Sequence, residues 1–198
     1  MRESLLETAG FRSTISVHTD SSEPAVADPA PREALLLTDE HTRPLSQGVM
    51  KQLGSAAKLL TVTLPAGESS KSMGNVQRVL DVALEGGLSR DSRFVIVGGG
   101  VLCDVGAFAG SIYLRGVEVE LLPTTLLAMV DAAVGGKTGI NYLGYKNMVG
   151  TFYPASAVRV FPAFLSSLPE REYRSGLAEV IKAALLGKGE LLSLLEER

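Results

Sequence analysis

The chain has 198 residues, 45% hydrophobic and 21% charged, and a net charge of −3. That is enough chain for one large domain, or one and part of another, with an ordinary globular composition. Its charge offers no basic field for nucleic acid, so no nucleic-acid partner is expected. No apolar run approaches the ~18 residues of a membrane span, so no membrane partner is expected either. The lone Cys103 cannot form an internal disulfide, which fits a reducing compartment. Met1 to Phe11 carries acidic residues and lacks the apolar stretch of a secretory signal, so the expected location is cytoplasmic.

In chain order, residues 20–34 are rich in proline, serine and alanine and read as a connecting loop. Leu35–Thr38 reads as a short buried strand, followed by a helix from about Arg43 to Lys58. Leu60–Leu64 is a second strand, stopped by Pro65. Val76, Val79, Leu80 and Ala83 fall at helical spacing within Asn75–Glu85, and Gly86-Gly87 ends that helix. Arg93–Val97 is an apolar strand running into Gly98-Gly99-Gly100 and then a helix. Gly116–Leu122 and Val158–Phe161 add two more strands. Strands alternating with helices across short connections predict an α/β fold, a mostly parallel sheet with helices on both faces. After Leu168 the pattern changes: Glu170 to Arg198 is nearly all helical, with Gly187 and Gly189 as the strong breakers. Leu177, Val180, Ile181 and Ala184 are expected to form its buried face.

The densest chemistry lies in Pro123–Asn141 (PTTLLAMVDAAVGGKTGIN). Hydroxyls, a carboxylate, a diglycine, a lysine and an amide sit among small residues that a core would not select. Glycines let backbone approach a ligand, and lysine supplies a point charge for anionic oxygens. Gly136-Lys137-Thr138 fits the end of a P-loop, but Asp131 occupies the first glycine position, where a carboxylate would repel phosphate. The turn Gly98-Gly99-Gly100 before a helix suits either a pyrophosphate at the helix N-terminus or a tight strand–helix connection. It is not the Rossmann fingerprint, because Cys103 holds the third glycine position. Asp104 lies one turn into an apolar helix and needs a partner or serves the helix dipole. Asp39, Glu68 and Lys71 read as loop charges, Thr124 and Thr125 as helix caps. Glu179 and Lys182 read as an i,i+3 ion pair. Asp131, Lys137, Lys146 and Asn147 have no structural explanation as a group.

Several segments in order resemble one family. They are Thr38-Asp39-Glu40, the PAGE-x-x-K stretch Pro65–Lys71, the GGGV-x-x-D turn Gly98–Asp104, Tyr113–Gly116, the run Pro123–Asn141, and the pair Lys146-Asn147. Leu168–Glu172 (LPERE) and Ser175–Lys182 (SGLAEVIK) complete the set. Together they resemble the 3-dehydroquinate synthases, sugar-phosphate cyclases of the shikimate pathway. The resemblance implies an NAD-binding α/β domain over residues 1–168 and the first helices of an all-helical metal and substrate domain over 169–198. It implies NAD contacts at Asp39, Glu68, Lys71, Gly99, Gly100, Val101, Asp104, Thr124, Thr125, Lys137, Lys146 and Ser167. It assigns Asp131, Lys137, Asn147 and Lys182 to catalysis and substrate, and Arg115 to the substrate phosphate across the interface of a homodimer. Glu179 becomes a ligand to a divalent metal, zinc or cobalt. At Asp39 the sequence departs from the family: His41 stands where an asparagine is usual.

The implied reaction converts 3-deoxy-D-arabino-heptulosonate 7-phosphate to 3-dehydroquinate and phosphate. It runs through oxidation at C5 by NAD, elimination of phosphate, reduction back at C5, ring opening and aldol closure. Two further metal ligands in the family are histidines of the helical domain, yet the chain has only His18 and His41. The expectation is therefore a fragment of a longer enzyme, inactive alone. Alternatives are an inactive NAD-binding module, a cyclase acting on another sugar phosphate, and a metal-dependent polyol dehydrogenase sharing the glycine turn.

Overall fold

The computed structural model describes residues 2–8, 11–19, 23–187 and 189–197. In chain order the strands and helices are β1 (Arg2–Thr8), β2 (Phe11–Val17), β3 (Glu33–Asp39), α1 (Gln47–Leu53), β4 (Lys58–Leu64) and α2 (Met73–Glu85). They continue with β5 (Arg93–Gly98), α3 (Gly100–Ile112), β6 (Glu118–Pro123), β7 (Lys137–Tyr142) and β8 (Tyr145–Phe152). β9 (Ala157–Val160), α4 (Glu170–Leu186) and α5 (Glu190–Glu196) follow.

Among the described residues seven strands form one sheet in the order β1-β2-β9-β6-β5-β3-β4. Only β1 runs antiparallel to its neighbour; the other pairings are parallel. β7 and β8 form a separate antiparallel hairpin. The central strands β3, β5 and β6 are buried along nearly their whole length, the pattern of a sheet covered on both faces. α3 lies tight against them. A side-chain carbon at Gly106 would fall 2.4 Å from Ile96, and one at Gly110 2.5 Å from Val119. α2 starts where Ser72 Oγ accepts the Asn75 backbone N–H, and buries Val76, Val79 and Ala83.

The predicted fold class holds: a mostly parallel sheet with helices, followed by helices at the C-terminus. The helix expected over 43–58 is shorter. A 3-10 turn at Arg43–Ser46 leads into α1, which ends at Gly54, and Lys58 already pairs with Glu33 in the sheet. The hairpins β1–β2 and β7–β8 lack the turn signals that announce hairpins and were not foreseen. Residues 23–32 are irregular as expected, and residues 20–22 lie outside the described residues. That loop is held by fully buried Glu120, which accepts the Ala27 N–H at 2.6 Å and the Arg93 Nη1 at 3.1 Å. Of the face expected to be buried on α4, only Ala184 is; Ile181 is 46% exposed. α4 packs against α5, which leaves Ile181 uncovered, and against the segment after β6. Gly176 there sits so close that a side-chain carbon would fall 2.6 Å from Leu126 Cβ and from the Leu127 backbone N.

Candidate functional site

The winding of the sheet reverses between β3 and β5. From β3 the chain adds β4 on one side, then β5, β6 and β9 on the other. In open α/β sheets a crevice forms beyond the carboxyl ends of the strands at such a point. Asp39 ends β3, Glu68 and Lys71 follow β4, Gly99 and Gly100 follow β5, and Thr124 and Thr125 follow β6. Four chain segments, each following a different strand, thus deliver candidate residues to one edge.

At the centre is the turn from β5 into α3. Gly99 is the N-cap, and no side chain caps the helix. Its φ of −75° is open to any residue, so conformation does not demand glycine there. Space is tight, however: a side-chain carbon at Gly99 would come within 3.1 Å of Thr125 Cγ2, and one at Gly100 within 3.3 Å of Ala132 Cβ, so each neighbour would have to give way. Half-buried Val101 completes the first turn. The bare N–H groups of α3 therefore point into a narrow gap, a ready position for an anionic group.

The gap is roofed by the segment after β6. The Thr124 N–H donates to Gly98 O at 2.9 Å, and Thr125 Oγ1 accepts the Ala128 N–H at 3.2 Å, the capping role its sequence position suggested. The helix thus opened becomes a π-helical turn at Ala128–Ala132, which carries exposed Asp131. Asp131 is close enough to Asp104 and Lys182 to influence both.

Lys71 is 8% exposed and pairs with Asp104, and its ammonium also donates to Asn147 Oδ1 at 2.5 Å. Burial pushes the Asp104 carboxyl above the usual value, against the pull of the Lys71 hydrogen bond and charge; Glu68 and Asp131 push it further up. Asn147 has a φ of +56°, the left-handed region that asparagine tolerates better than most residues. Lys146 lies 3.7 Å from Glu68, and both side chains are at least half exposed, so the pair is loose. Asp39 Oδ1 accepts the backbone N–H groups of His41 and Thr42 at 2.9 and 2.7 Å, shaping the turn after β3. His41 thus contributes its backbone to that turn.

The other candidates share no hydrogen bond or ion pair with Lys71, Asp104 or Asn147 among the described residues. Lys137 opens β7, exposed, and, among the described residues, has no side-chain hydrogen bond or ion pair. Ser167 is exposed at the end of a 3-10 turn and donates to Phe164 O at 3.1 Å. Lys182 Nζ donates to Glu179 Oε2 at 2.9 Å, and that bond raises the lysine pKa. Arg115 is far from the gap, at the opposite end of α3, about 20 Å along a helix of that length. It follows Leu114 and precedes Gly116, all three at positive φ, and with Arg90, Ile112 and Leu114 lines a separate open cavity of about 400 Å³. No group of three His, Cys, Asp or Glu side chains among the described residues could hold a metal ion. Cys103 is buried and its thiol pKa is pushed up by burial, so it is unreactive. Asn141, which lies within the run singled out in the sequence but drew no role there, bonds to both Glu68 and the Asn147 backbone.

The 3-dehydroquinate synthase N-terminal family model matches residues 61–175. A 3-dehydroquinate synthase of Acidithiobacillus ferrooxidans is 46% identical over 166 residues, 82% of this chain and 45% of that protein. The chain therefore spans about half the length of the curated relatives it matches. The structure of 2-epi-5-epi-valiolone synthase from Streptomyces hygroscopicus subsp. jinggangensis 5008, with NAD+ and Zn2+ bound, is similar over the whole chain and 55% of its own. It has a TM-score of 0.82 and 34% identity. 2-Deoxy-scyllo-inosose synthase complexed with carbaglucose-6-phosphate, NAD+ and Co2+ shares the fold, with a TM-score of 0.83 and 24% identity over 93% of this chain and 52% of that one.

Proposed function

The chain belongs to the 3-dehydroquinate synthase family, and from that premise we propose that it is the dinucleotide-binding part of an enzyme making 3-dehydroquinate and phosphate from 3-deoxy-D-arabino-heptulosonate 7-phosphate. The observation that carries the reading is the uncapped N-terminus of α3, kept open by Gly99 and Gly100 beneath Thr125 and Ala132. A side chain at either glycine would fill the cradle that a pyrophosphate needs. The residues present thus fit NAD, which supplies reversible hydride acceptance when bound.

In this reading the chain's own groups bind and orient. The first turn of α3, with Val101, receives the pyrophosphate. Asp39 holds the adenosine ribose from the next strand, with Glu68 and Lys71 closing over the dinucleotide. Lys71, Asp104 and Asn147 form a preset polar wall, a source of orientation without reorganisation at the moment of reaction. Thr124, Thr125 and Ser167 border the nicotinamide end. Asp131, Lys137, Lys146 and Asn147 face the sugar, the cations drawing its carboxylate and phosphate. Lys182 adds a further cation on α4. Arg115, remote from the cradle of its own chain, would serve the phosphate of a partner subunit in a homodimer.

A divalent metal fits less well. Glu179 is one carboxylate, and the described residues hold no second and third ligand beside it. We assign the remaining ligands to a helical domain that begins at residue 169 and is completed outside this chain. No step is derived through the metal. The reading includes a cytoplasmic location; none of the described helices is long and apolar enough to cross a membrane. Identity of 46% to a 3-dehydroquinate synthase against 34% to the valiolone synthase favours the dehydroquinate reaction over that of a related cyclase.

The test is phosphate release from the heptulosonate phosphate by this chain joined to the C-terminal half of the Acidithiobacillus relative. Release that needs both halves supports the proposal. No release, where the relative's own N-terminal half does restore it, rules the proposal out.

A further inference from the structure

Asn141 sits where the β7–β8 ladder breaks. Ile140 pairs with Val149 and Tyr142 with Tyr145, and the register shifts between them. Such irregularities free a residue from the ladder and re-aim it. The freed groups of Asn141 go in three directions. Its backbone N–H donates to Lys71 O at 3.0 Å. Its Nδ2 donates to Glu68 Oε1 at 2.9 Å. Its Oδ1 accepts the backbone N–H of Asn147 at 3.0 Å. Asn147, at φ +56°, in turn accepts from the Lys71 ammonium that pairs with Asp104.

We propose that Asn141 is a positioning residue for the dinucleotide: one side chain sets Glu68 and Asn147 relative to each other, and through Asn147 sets the Lys71 ammonium. The inference rests on the NAD reading above. The amide suits the task because it offers one donor and one acceptor at once. A carboxylate in its place would keep the acceptor for Asn147 and repel Glu68. A hydrogen bond only closing the hairpin would link β7 to β8, whereas the bonds of Asn141 also reach the loop after β4.

The test is NAD affinity by calorimetry, with melting temperature recorded alongside. Asn141→Asp is nearly isosteric and leaves the fold in place. It should weaken NAD about tenfold, the scale of one lost hydrogen bond with added repulsion. In a Glu68→Gln background the same substitution should cost less than about twofold, because the amide can donate where the carboxylate repelled. Asn141→Ala should weaken NAD in both backgrounds, having lost the Asn147 branch as well. An unchanged affinity for N141D, or an equal loss in both backgrounds, overturns the positioning role while leaving NAD binding intact. Failure of the unsubstituted chain to bind NAD overturns the dinucleotide reading and this inference with it.

Discussion

Lys71 and Asp104, 33 positions apart in the chain, meet as an ion pair with side chains only 9% and 17% exposed. The ammonium reaches Asn147 as well, so the loop after β4, the first helix turn after β5 and the β7–β8 hairpin share one charge. Breaking such a pair from one side leaves the other group poorly solvated and unpartnered.

Lys71→Met should therefore destabilise the fold by about 1–3 kcal/mol, less than for a fully buried pair because Asp104 keeps some access to water. It should also raise the Asp104 pKa further, since the cation now holding it down is gone. The sign follows from linkage. With a folded pKa above the usual 3.8, the native state binds the extra proton. This group's contribution is most favourable below 3.8 and declines as pH rises through the folded value. In the variant that decline extends to higher pH. Carbon-detected NMR titration of Asp104 and urea melts across the acid range check both; titration at or below 3.8 in the variant contradicts them.

At Gly99 the backbone admits any residue, so Gly99→Ala separates crowding from strain. The added methyl meets a movable Thr125 methyl, and stability should change by less than about 1 kcal/mol. NAD affinity should fall at least about tenfold, the cost of one blocked charge-assisted contact. Equal affinity, measured by fluorescence or calorimetry, would return this glycine to the role of a tight turn.

Gly136 is held for a different reason. Its φ is +72°, and a side-chain carbon would lie 2.7 Å from the Pro154 backbone N. Gly136→Ala should cost about 1–3 kcal/mol from backbone strain, before any overlap is counted. The overlap is with backbone, which cannot turn aside, so denaturant midpoints should drop clearly. A midpoint equal to that of the unsubstituted chain would mean that the hairpin is free to shift.

The Glu179–Lys182 pair predicts the reverse. The lysine is exposed, and its raised pKa comes from the bond to Glu179 first and the charge of Glu179 second. Any stability from the pair is present below the ordinary lysine value of 10.5 and is lost as pH rises through the raised one. At neutral pH Lys182→Ala should leave both melting temperature and NAD affinity unchanged. A marked drop in either would give α4 a structural duty that its exposure does not suggest.

The parallel sheet was legible because β3 and β5 are largely continuous apolar runs punctuated by glycine and proline, and burial on both faces leaves that mark. The glycine turn and the polar run announced the site for the same reason: their composition serves no core. Hairpin β7–β8 stayed hidden because its ladder is broken at Asn141 and carries exposed Tyr145, Met148 and Phe152, so no two-residue alternation shows. Asn141 was in view as a polar residue, but its three partners come from distant positions that only folding joins. The exposed face of α4 misled because helical periodicity reports an apolar stripe whatever covers it.

The most direct measurement is an NMR titration of this chain with NAD, following backbone amides. The account predicts saturable one-to-one binding with the largest shifts at Gly99, Gly100 and Val101, and further shifts at Thr124, Thr125 and Asn147. No saturable shift, or shifts gathered around Arg90 and Arg115 at the other end of α3, would contradict it.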